Sequence, residues 1–452
     1  MYDPIKDPIP PADQTLPNSY WASDASNKRS PLNYRQLQGH EQSDVVIIGA
    51  GYTGLSCALE LSQKYNVSCT VVEANQPGWG CSGRNGGFVL PGTGRLSVQQ
   101  MTKRWNKKTS QNIYAEYLRS IATVKGFIAD GIECDDTAGG YLKLAHKPSL
   151  VSSLHDQARA LSDDYGDSII ALTKADIAAE YLSGTPAYGG IYYPNAIGIN
   201  PWLFCQGLAK RVEQAGASIF GASPVISCER KQSKHIVRTE LGSIEAKTLI
   251  VATNAYGQRR LHPVLTDRTF PVVSSIIVTE PLNQEQLMRI SMKAGLMVMD
   301  TRALKYYYRV LPDNRLLFGG RGAVYGKDAD NKKYLNALKQ GLFATFPQLS
   351  DIDISHFWSG WVSVSLDDSP RIFHDKSENM LYSAGYCGAG LAFSIQAGKR
   401  LAQLLVEPNT LPDLPYWKTP LQRFPLAALR RPALRAFYAW EGIKNTITKQ
   451  NR

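Results

Sequence analysis

Residues 44–61 read "DVVIIGAGYTGLSCALEL". The β-branched apolar run at 44–48 predicts a short buried strand, and residues 55–65 carry apolar side chains at helical spacing. Between them Gly49, Gly51 and Gly54 form G-x-G-x-x-G. A second strand is expected at 68–72. Strand, glycine turn, helix and strand within about thirty residues is the setting in which these glycines bind a dinucleotide rather than merely turn the chain.

The glycines divide the work. Gly49 permits the tight exit from the strand, Gly51 lets backbone approach a pyrophosphate, and Gly54 lets the helix pack closely on the sheet. The diphosphate then meets the positive end of the helix. Glu73 ends the second strand, nineteen residues beyond Gly54. A carboxylate there accepts both adenosine ribose hydroxyls and repels a 2′-phosphate, which disfavours NADP and leaves NAD and FAD undivided.

Two further stretches favour a flavin. "GWGCSGRNGGFV" at 78–89 offers Ser82, Arg84 and Asn85 as hydrogen-bonding groups for a large polar ligand. "GYCGAGLAF" at 385–393 sets a second glycine turn at a helix start, where the dipole and free N–H groups suit a ring that becomes anionic on reduction.

The bulk composition fits a globular chain. With 452 residues, 43% of them hydrophobic, two or three structural units are expected, and disorder is excluded. The formal charge of +11 reads as a basic surface, and no nucleic-acid-binding motif accompanies it. Seven scattered cysteines with no C-x-x-C argue against a disulfide framework and a metal site. The first residues lack the pattern of a signal peptide, and no stretch is long and apolar enough to span a bilayer. A cytoplasmic protein is expected.

Doubly wound texture appears at the start, middle and end of the chain, interrupted by a β-rich stretch near 262–365. The expected fold class is therefore α/β: a discontinuous Rossmann-like FAD-binding domain (40–98, 198–257 and 356–412) plus a substrate domain with an antiparallel β-sheet (99–197 and 258–355). An extended lead-in (1–39) precedes them and a basic segment (413–452) follows. In that segment a helix near 433–443, with Arg430, Arg431, Arg435, Leu429, Leu434 and Phe437, is expected to pack on the body rather than rest on a membrane as a peripheral helix.

These stretches, with "YYPNAIGINPW", "GASPV", "DTRALKYYYRVLPDNRLLFGG" and "SLDDSPRIF", resemble the D-amino-acid-oxidase-like superfamily of FAD-dependent oxidoreductases over nearly the whole chain from Tyr20. The "SGRNGG" and "YYR…RLLFGG" elements resemble its amine-oxidising branch. The resemblance implies that Gly49, Gly51, Thr53 and Gly54 meet the pyrophosphate, Glu73 the ribose, and Ser82, Arg84, Asn85, Gly86 and Gly87 the central part of the cofactor. It gives the adenine to the backbone of Val225, pocket closure to Thr253 and Asn254, and the pyrimidine edge to Gly388, Gly390 and Leu391. The implied reaction moves a hydride from the carbon bearing an unprotonated, γ-glutamylputrescine-like primary or secondary amine to flavin N5. The imine hydrolyses to a carbonyl, and oxygen reoxidises the flavin to give hydrogen peroxide.

Departures from that family sharpen the expectation. Sarcosine-oxidase-like members hold an amino-acid carboxylate with a lysine where this chain has Ala392, and with arginines where it has Phe88, Val89 and Leu90. An amine, or a substrate whose carboxylate lies farther out, fits better than a simple α-amino acid. Their oxygen-activating lysine has no counterpart in "RLLFGGRG", which offers only Arg321. No cysteine stands near "WVSVSLDD", so non-covalent FAD is expected.

Tyr307, Tyr308 and Arg309 are candidates to hold an alkylammonium chain and a distal carboxylate, against the reading that alternate strand residues enter the core. His262, His356 and His374 read as ordinary polar residues, and Cys387 as packing. Two alternatives stand beside the amine oxidase: an oxidase or quinone-linked dehydrogenase of a cyclic or N-alkyl amino acid such as L-pipecolate, and a non-catalytic or maturation flavoprotein.

Overall fold

In the computed structural model, the apolar run of the glycine motif is the buried end of a longer strand, Gly39–Ile48. Residues 1–450 are described except 13, 15, 17, 24–31 and 258–260, with backbone only for 445–450. Gly39–Ile48 lies inside an eight-stranded sheet, between the parallel strands Gly242–Val251 and Cys69–Val72. Ser218–Phe220 and Met380–Ala384 extend it in parallel on either side, and Arg371–Asp375 closes one edge antiparallel. A parallel sheet needs both faces covered, and its strands are accordingly near-continuous apolar runs.

The second sheet also has eight strands, in the order Ile354–Val364, Phe270–Thr279, Leu316–Arg321, Tyr307–Val310, Met297–Asp300, Tyr141–Leu144, Gly189–Tyr193 and Ile170–Thr173. All of its pairings are antiparallel except Met297–Asp300 with Tyr141–Leu144. One expected boundary moves. Residues 356–364 fall in the nucleotide-binding part on sequence, but Ile354–Val364 pairs along its length with Phe270–Thr279.

Two helices cover the first sheet where the glycine turns begin. Tyr52–Tyr65 starts three residues earlier than its apolar periodicity, because the helix begins directly after its extended N-cap Gly51, inside the glycine turn. Leu391–Val406 crosses it so closely that a Cβ at Gly398 would stand 2.4 Å from the Thr53 carbonyl oxygen and 2.8 Å from the Cys57 nitrogen. The helix Lys107–Ala129 packs on the far side and buries Glu116 against this pair. Glu116 accepts hydrogen bonds from Arg400 Nε at 2.7 Å, Arg400 Nη2 at 2.9 Å and Gln396 Nε2 at 2.8 Å. Burial alone would raise its pKa, but the Arg400 and Gln396 bonds outweigh it and hold the carboxyl below the usual glutamate value.

The lead-in lies against the body. Asp3 pairs with Arg431, Trp21 donates to the Asn85 carbonyl at 2.8 Å, and Trp361 donates to the Tyr2 carbonyl at 2.7 Å. Residues 24–31 of the lead-in lie outside the described residues.

Gly398→Ala is expected to cost about 1–3 kcal/mol, because the obstructing atoms are backbone and cannot step aside. Chemical denaturation of the purified variant measures it. Glu116→Ala leaves Arg400 buried and unpaired, a loss of about 3–5 kcal/mol. Because its folded pKa is depressed, the Glu116 contribution is complete above the model-peptide value of 4.5 and fades only as pH falls through the lower folded value. The gap between wild type and Glu116→Ala in denaturation midpoint should therefore hold from neutral pH down to about 5 and close below it.

Candidate cofactor and substrate site

A cavity of about 620 Å³ opens where the C-terminal ends of the parallel strands meet one face of the second sheet. Both glycine turns border it. Gly49 has φ +108°, a left-handed conformation suited to glycine, with the Ala252 carbonyl 3.0 Å from where a Cβ would stand. A Cβ on Gly51 would lie 2.8 Å from Ser82 Oγ. That hydroxyl accepts the Tyr52 N–H at 3.0 Å and so supplies the helix cap that Gly51 cannot. Thr53 donates to the Ser394 carbonyl at 3.0 Å and shares a hydrogen bond with the Tyr386 hydroxyl at 2.9 Å. Gly54 does not line the cavity; a Cβ there would strike the Gly49 carbonyl at 1.9 Å, so its role is helix-on-strand packing.

Glu73 borders the cavity beyond the second strand. Its two oxygens accept the N–H groups of Ala50 at 2.8 Å and Asn75 at 3.1 Å. Burial raises its pKa, and these backbone bonds hold the rise in check. Beside it, Asn75 was not singled out on sequence. Its Oδ1 accepts the Gln14 N–H, while its buried Nδ2 has no hydrogen-bond partner among the described residues. An acceptor and an orphaned donor side by side suit a ribose, whose hydroxyls both donate and accept. Val225 lines the same cavity, as do Thr253 and Asn254. Asn254 has φ +47° and accepts the Gly385 N–H at 3.4 Å.

The loop 78–87 is held largely by its own polar side chains. Arg84 donates to the carbonyls of Trp79 at 2.7 Å and Ser359 at 3.2 Å, and its guanidinium lies 4.4 Å from the Trp79 ring. Asn85 donates to the carbonyls of Cys81 and Ser82 and accepts the Gly87 N–H. Arg84, Asn85 and Gly86 reach the cavity surface; Gly87, at φ +74°, lies instead against Ile199 and Arg309. Across the cavity, Cys387 and Gly388 turn through positive φ, and the helix Leu391–Val406 begins after Gly390. Gly388, Gly390 and Leu391 line the wall. Two helix N-termini thus point into one cavity, a natural seat for a ligand with negative charge at separated places.

The second sheet supplies the other wall, and here two expectations need correction. Tyr307 lines the cavity, its hydroxyl 3.1 Å from Ser274 Oγ, and so does Arg321. Tyr308 points to the opposite face, stacked on Phe318 with centroids 5.8 Å apart. Strand alternation sends it into the core. Arg309 lies on the Tyr307 side but is buried beside the loop, donating to the Ile199 carbonyl at 2.6 Å with Trp21 5.4 Å away. Neither lines the cavity. His262, His356 and His374 also lie off its wall, while Cys387 lines it and packs with Phe270, Val272 and Val364.

Lys305 and Arg95 line the cavity with Arg321 and were missed on sequence. A lysine therefore does reach this wall, from the segment before the strand rather than from "RLLFGGRG". Lys305 stands two residues before Tyr307, so alternation was the available signal. Neither the Lys305 nor the Arg321 side chain has a hydrogen bond or ion pair among the described residues, and the Arg95 guanidinium has only the Asp368 carboxylate at 3.9 Å. The Lys305 side chain is accessible from the cavity, yet desolvation by the surrounding protein, then Arg321 and Arg95, holds its pKa below the usual lysine value. Three cations converging on one opening make an anion-accepting wall.

Comparison with known proteins agrees with this geometry. Residues 44–404 match the family model described as DAO, FAD dependent oxidoreductase. The chain is 32% identical over 390 residues to gamma-glutamylputrescine oxidoreductase of Escherichia coli K12, covering 86% of this chain and 88% of that one. It is 30% identical over 385 residues to the probable oxidoreductase OrdL of Haemophilus influenzae, covering 84% and 86%. Among solved structures, glycine oxidase from Geobacillus kaustophilus shares the fold with a TM-score of 0.71 at 19% identity, over 85% of this chain and all of that one. L-proline dehydrogenase from P. horikoshii does so with a TM-score of 0.68 at 20% identity, over 83% and 96%. The chain belongs to the DAO family of FAD-dependent oxidoreductases and is an enzyme of its amine and amino-acid type.

Proposed function

We propose that this enzyme oxidises the carbon–nitrogen bond of a primary or secondary amine that carries a carboxylate some distance from the reacting nitrogen, in the manner of a γ-glutamylated polyamine. The observation that carries the reading is the cationic wall of Arg95, Lys305 and Arg321 beside Tyr307. The similarity to gamma-glutamylputrescine oxidoreductase supports the same class.

In this reading the start of the helix Tyr52–Tyr65, with Gly49, Gly51 and Ser82, takes the pyrophosphate of non-covalently held FAD. Glu73 and Asn75 take the ribose, the Val225 backbone the adenine, and Gly388, Gly390 and Leu391 the pyrimidine edge. Bound FAD supplies the acceptor for the hydride on the carbon next to nitrogen, with oxygen as the final acceptor giving hydrogen peroxide. The substrate leaves as an imine that water hydrolyses to a carbonyl and ammonia or an amine.

The lining side chains decide the protonation state of the substrate. Among them Glu73 is the single carboxylate, at the ribose end, and no histidine is present. A positive wall disfavours an ammonium and favours the neutral amine, which alone has the lone pair that assists hydride loss. The same wall holds the remote carboxylate, so Arg321 and Lys305 orient the substrate while keeping its nitrogen uncharged. Tyr307 presents an aromatic surface to the carbon chain between the two ends.

Glu73→Ala removes charged hydrogen bonds worth about 1.5–3 kcal/mol, so the Kd for FAD should rise about ten- to hundredfold in a titration of apoprotein followed by flavin fluorescence. Anaerobic mixing of the yellow holoenzyme with γ-glutamylputrescine should bleach it, and kcat/KM should rise with pH as the amine loses its proton. Arg321→Ala should raise KM for γ-glutamylputrescine about ten- to hundredfold while leaving or lowering that for putrescine, which has no carboxylate. An equal loss with both amines would refute the anchoring role, and no bleaching by any amine would refute the reaction.

A further inference from the structure

The C-terminal helix Arg430–Gln450 is amphipathic the wrong way round for a helix that merely covers a protein. Its inner face carries Arg430, Arg431, Leu434, Tyr438 and Glu441. Arg430 pairs with Asp267 at 2.9 Å, Arg431 pairs with the buried Asp3, and Leu434 packs with Phe270 and Val272. Helical geometry places Ala433, Ala436, Ala439, Trp440 and Ile443 on the opposite side, with no charge among them.

On this side Trp440 and Ile443 are 57 and 55% exposed, and beside it Leu426 and Leu429 in the preceding turn and Phe437 at the helix flank are 78, 54 and 43% exposed. They are five of the twelve large hydrophobics exposed among the described residues, gathered in eighteen positions of a 452-residue chain. Such clustering marks an interaction surface rather than scattered surface residues. Arg423, Arg435 and Lys444 border it in sequence, and Lys444 Nζ lies 5.7 Å from the Trp440 ring. Over residues 423–444 the single acid is Glu441, which belongs to the inner face and pairs with Lys444.

We propose that this face is a peripheral docking site for an anionic lipid bilayer. Apolar anchors with a tryptophan, a basic border and no outward carboxylate are the combination that seats a helix in the plane of a charged membrane surface. A soluble acidic protein would meet the basic border equally well, but it would leave unused the mainly aliphatic and aromatic centre, which lipid chains fill without needing a matching shape. No helix among the described residues is long and apolar enough to cross a membrane, so the attachment is to one surface. Leu434, Phe437 and Tyr438 of the same helix line the active cavity. Docking therefore sets a wall of the cavity at the lipid boundary, beside the place where amphiphilic molecules collect.

The test uses the full-length holoenzyme in sedimentation with vesicles of phosphatidylcholine alone and of phosphatidylcholine with about a third phosphatidylglycerol. Binding should be at least tenfold stronger to the anionic vesicles and weaken as salt is raised. Trp440→Glu with Ile443→Glu, neither of which lines the cavity, should lower vesicle binding at least tenfold while flavin content and amine oxidation stay unchanged. Arg435→Glu should lower it on anionic vesicles alone. No binding to anionic vesicles at low salt, or undiminished binding by the double variant, overturns the proposal. So does a dimer in solution that the double variant dissociates while vesicles leave the protein in the supernatant, since the face then belongs to a second copy.

Discussion

The close crossing of the helices Tyr52–Tyr65 and Leu391–Val406 at Gly398 is the constraint from which the site follows. Only a residue without a side chain lets the second helix settle on the Thr53 backbone, and that separation brings the Thr53 hydroxyl to the Ser394 carbonyl and the Tyr386 hydroxyl. Both helices then begin at the same cavity. Each end carries roughly half a positive charge from its unpaired N–H groups, and two such ends facing one space from different directions define where negative charge can rest. Thr53 and Tyr386 are 333 residues apart. The cofactor site therefore exists only once the two ends of the chain have met, with Glu116 holding the second helix from its outer side.

Residues whose role is local were legible in the sequence. The glycine turns and the acid after the second strand follow from a few neighbouring residues, because backbone conformation and short-range capping decide them. The strand Gly39–Ile48 was read short because its first half is polar and half-exposed, and pairing with Gly242–Ala246 rather than hydropathy sustains it. The apparent preference of Arg309 for a substrate carboxylate failed for a long-range reason. The space left by Gly87 and Gly198 receives its guanidinium before it can reach the cavity. Nothing near Arg309 in sequence shows that gap.

The cationic wall shows the same division. Alternation from Tyr307 separates Tyr308 from it and brings Lys305 toward it, but only when the strand direction and the cavity face are already known. Arg95 comes from a loop on a different unit, and no pattern links it to Arg321. Three cations become a wall through tertiary structure alone.

That wall and Glu73 share an energetic property. Each group is placed where its charge is poorly solvated: burial raises the Glu73 pKa, and desolvation with like-charged neighbours lowers that of Lys305. Glu73 is held by two backbone N–H groups, whereas the Lys305 side chain, open to the cavity, has no hydrogen bond or ion pair among the described residues. In the proposed reading, ribose hydroxyls add further donors to the Glu73 carboxylate, and an anion at Arg321 and Lys305 turns repulsion into attraction. A ligand that supplies those partners to the folded chain alone adds its binding free energy to the stability of the protein. In the proposed reading, the groups whose charge the protein itself compensates least are the ones that select what the cavity holds.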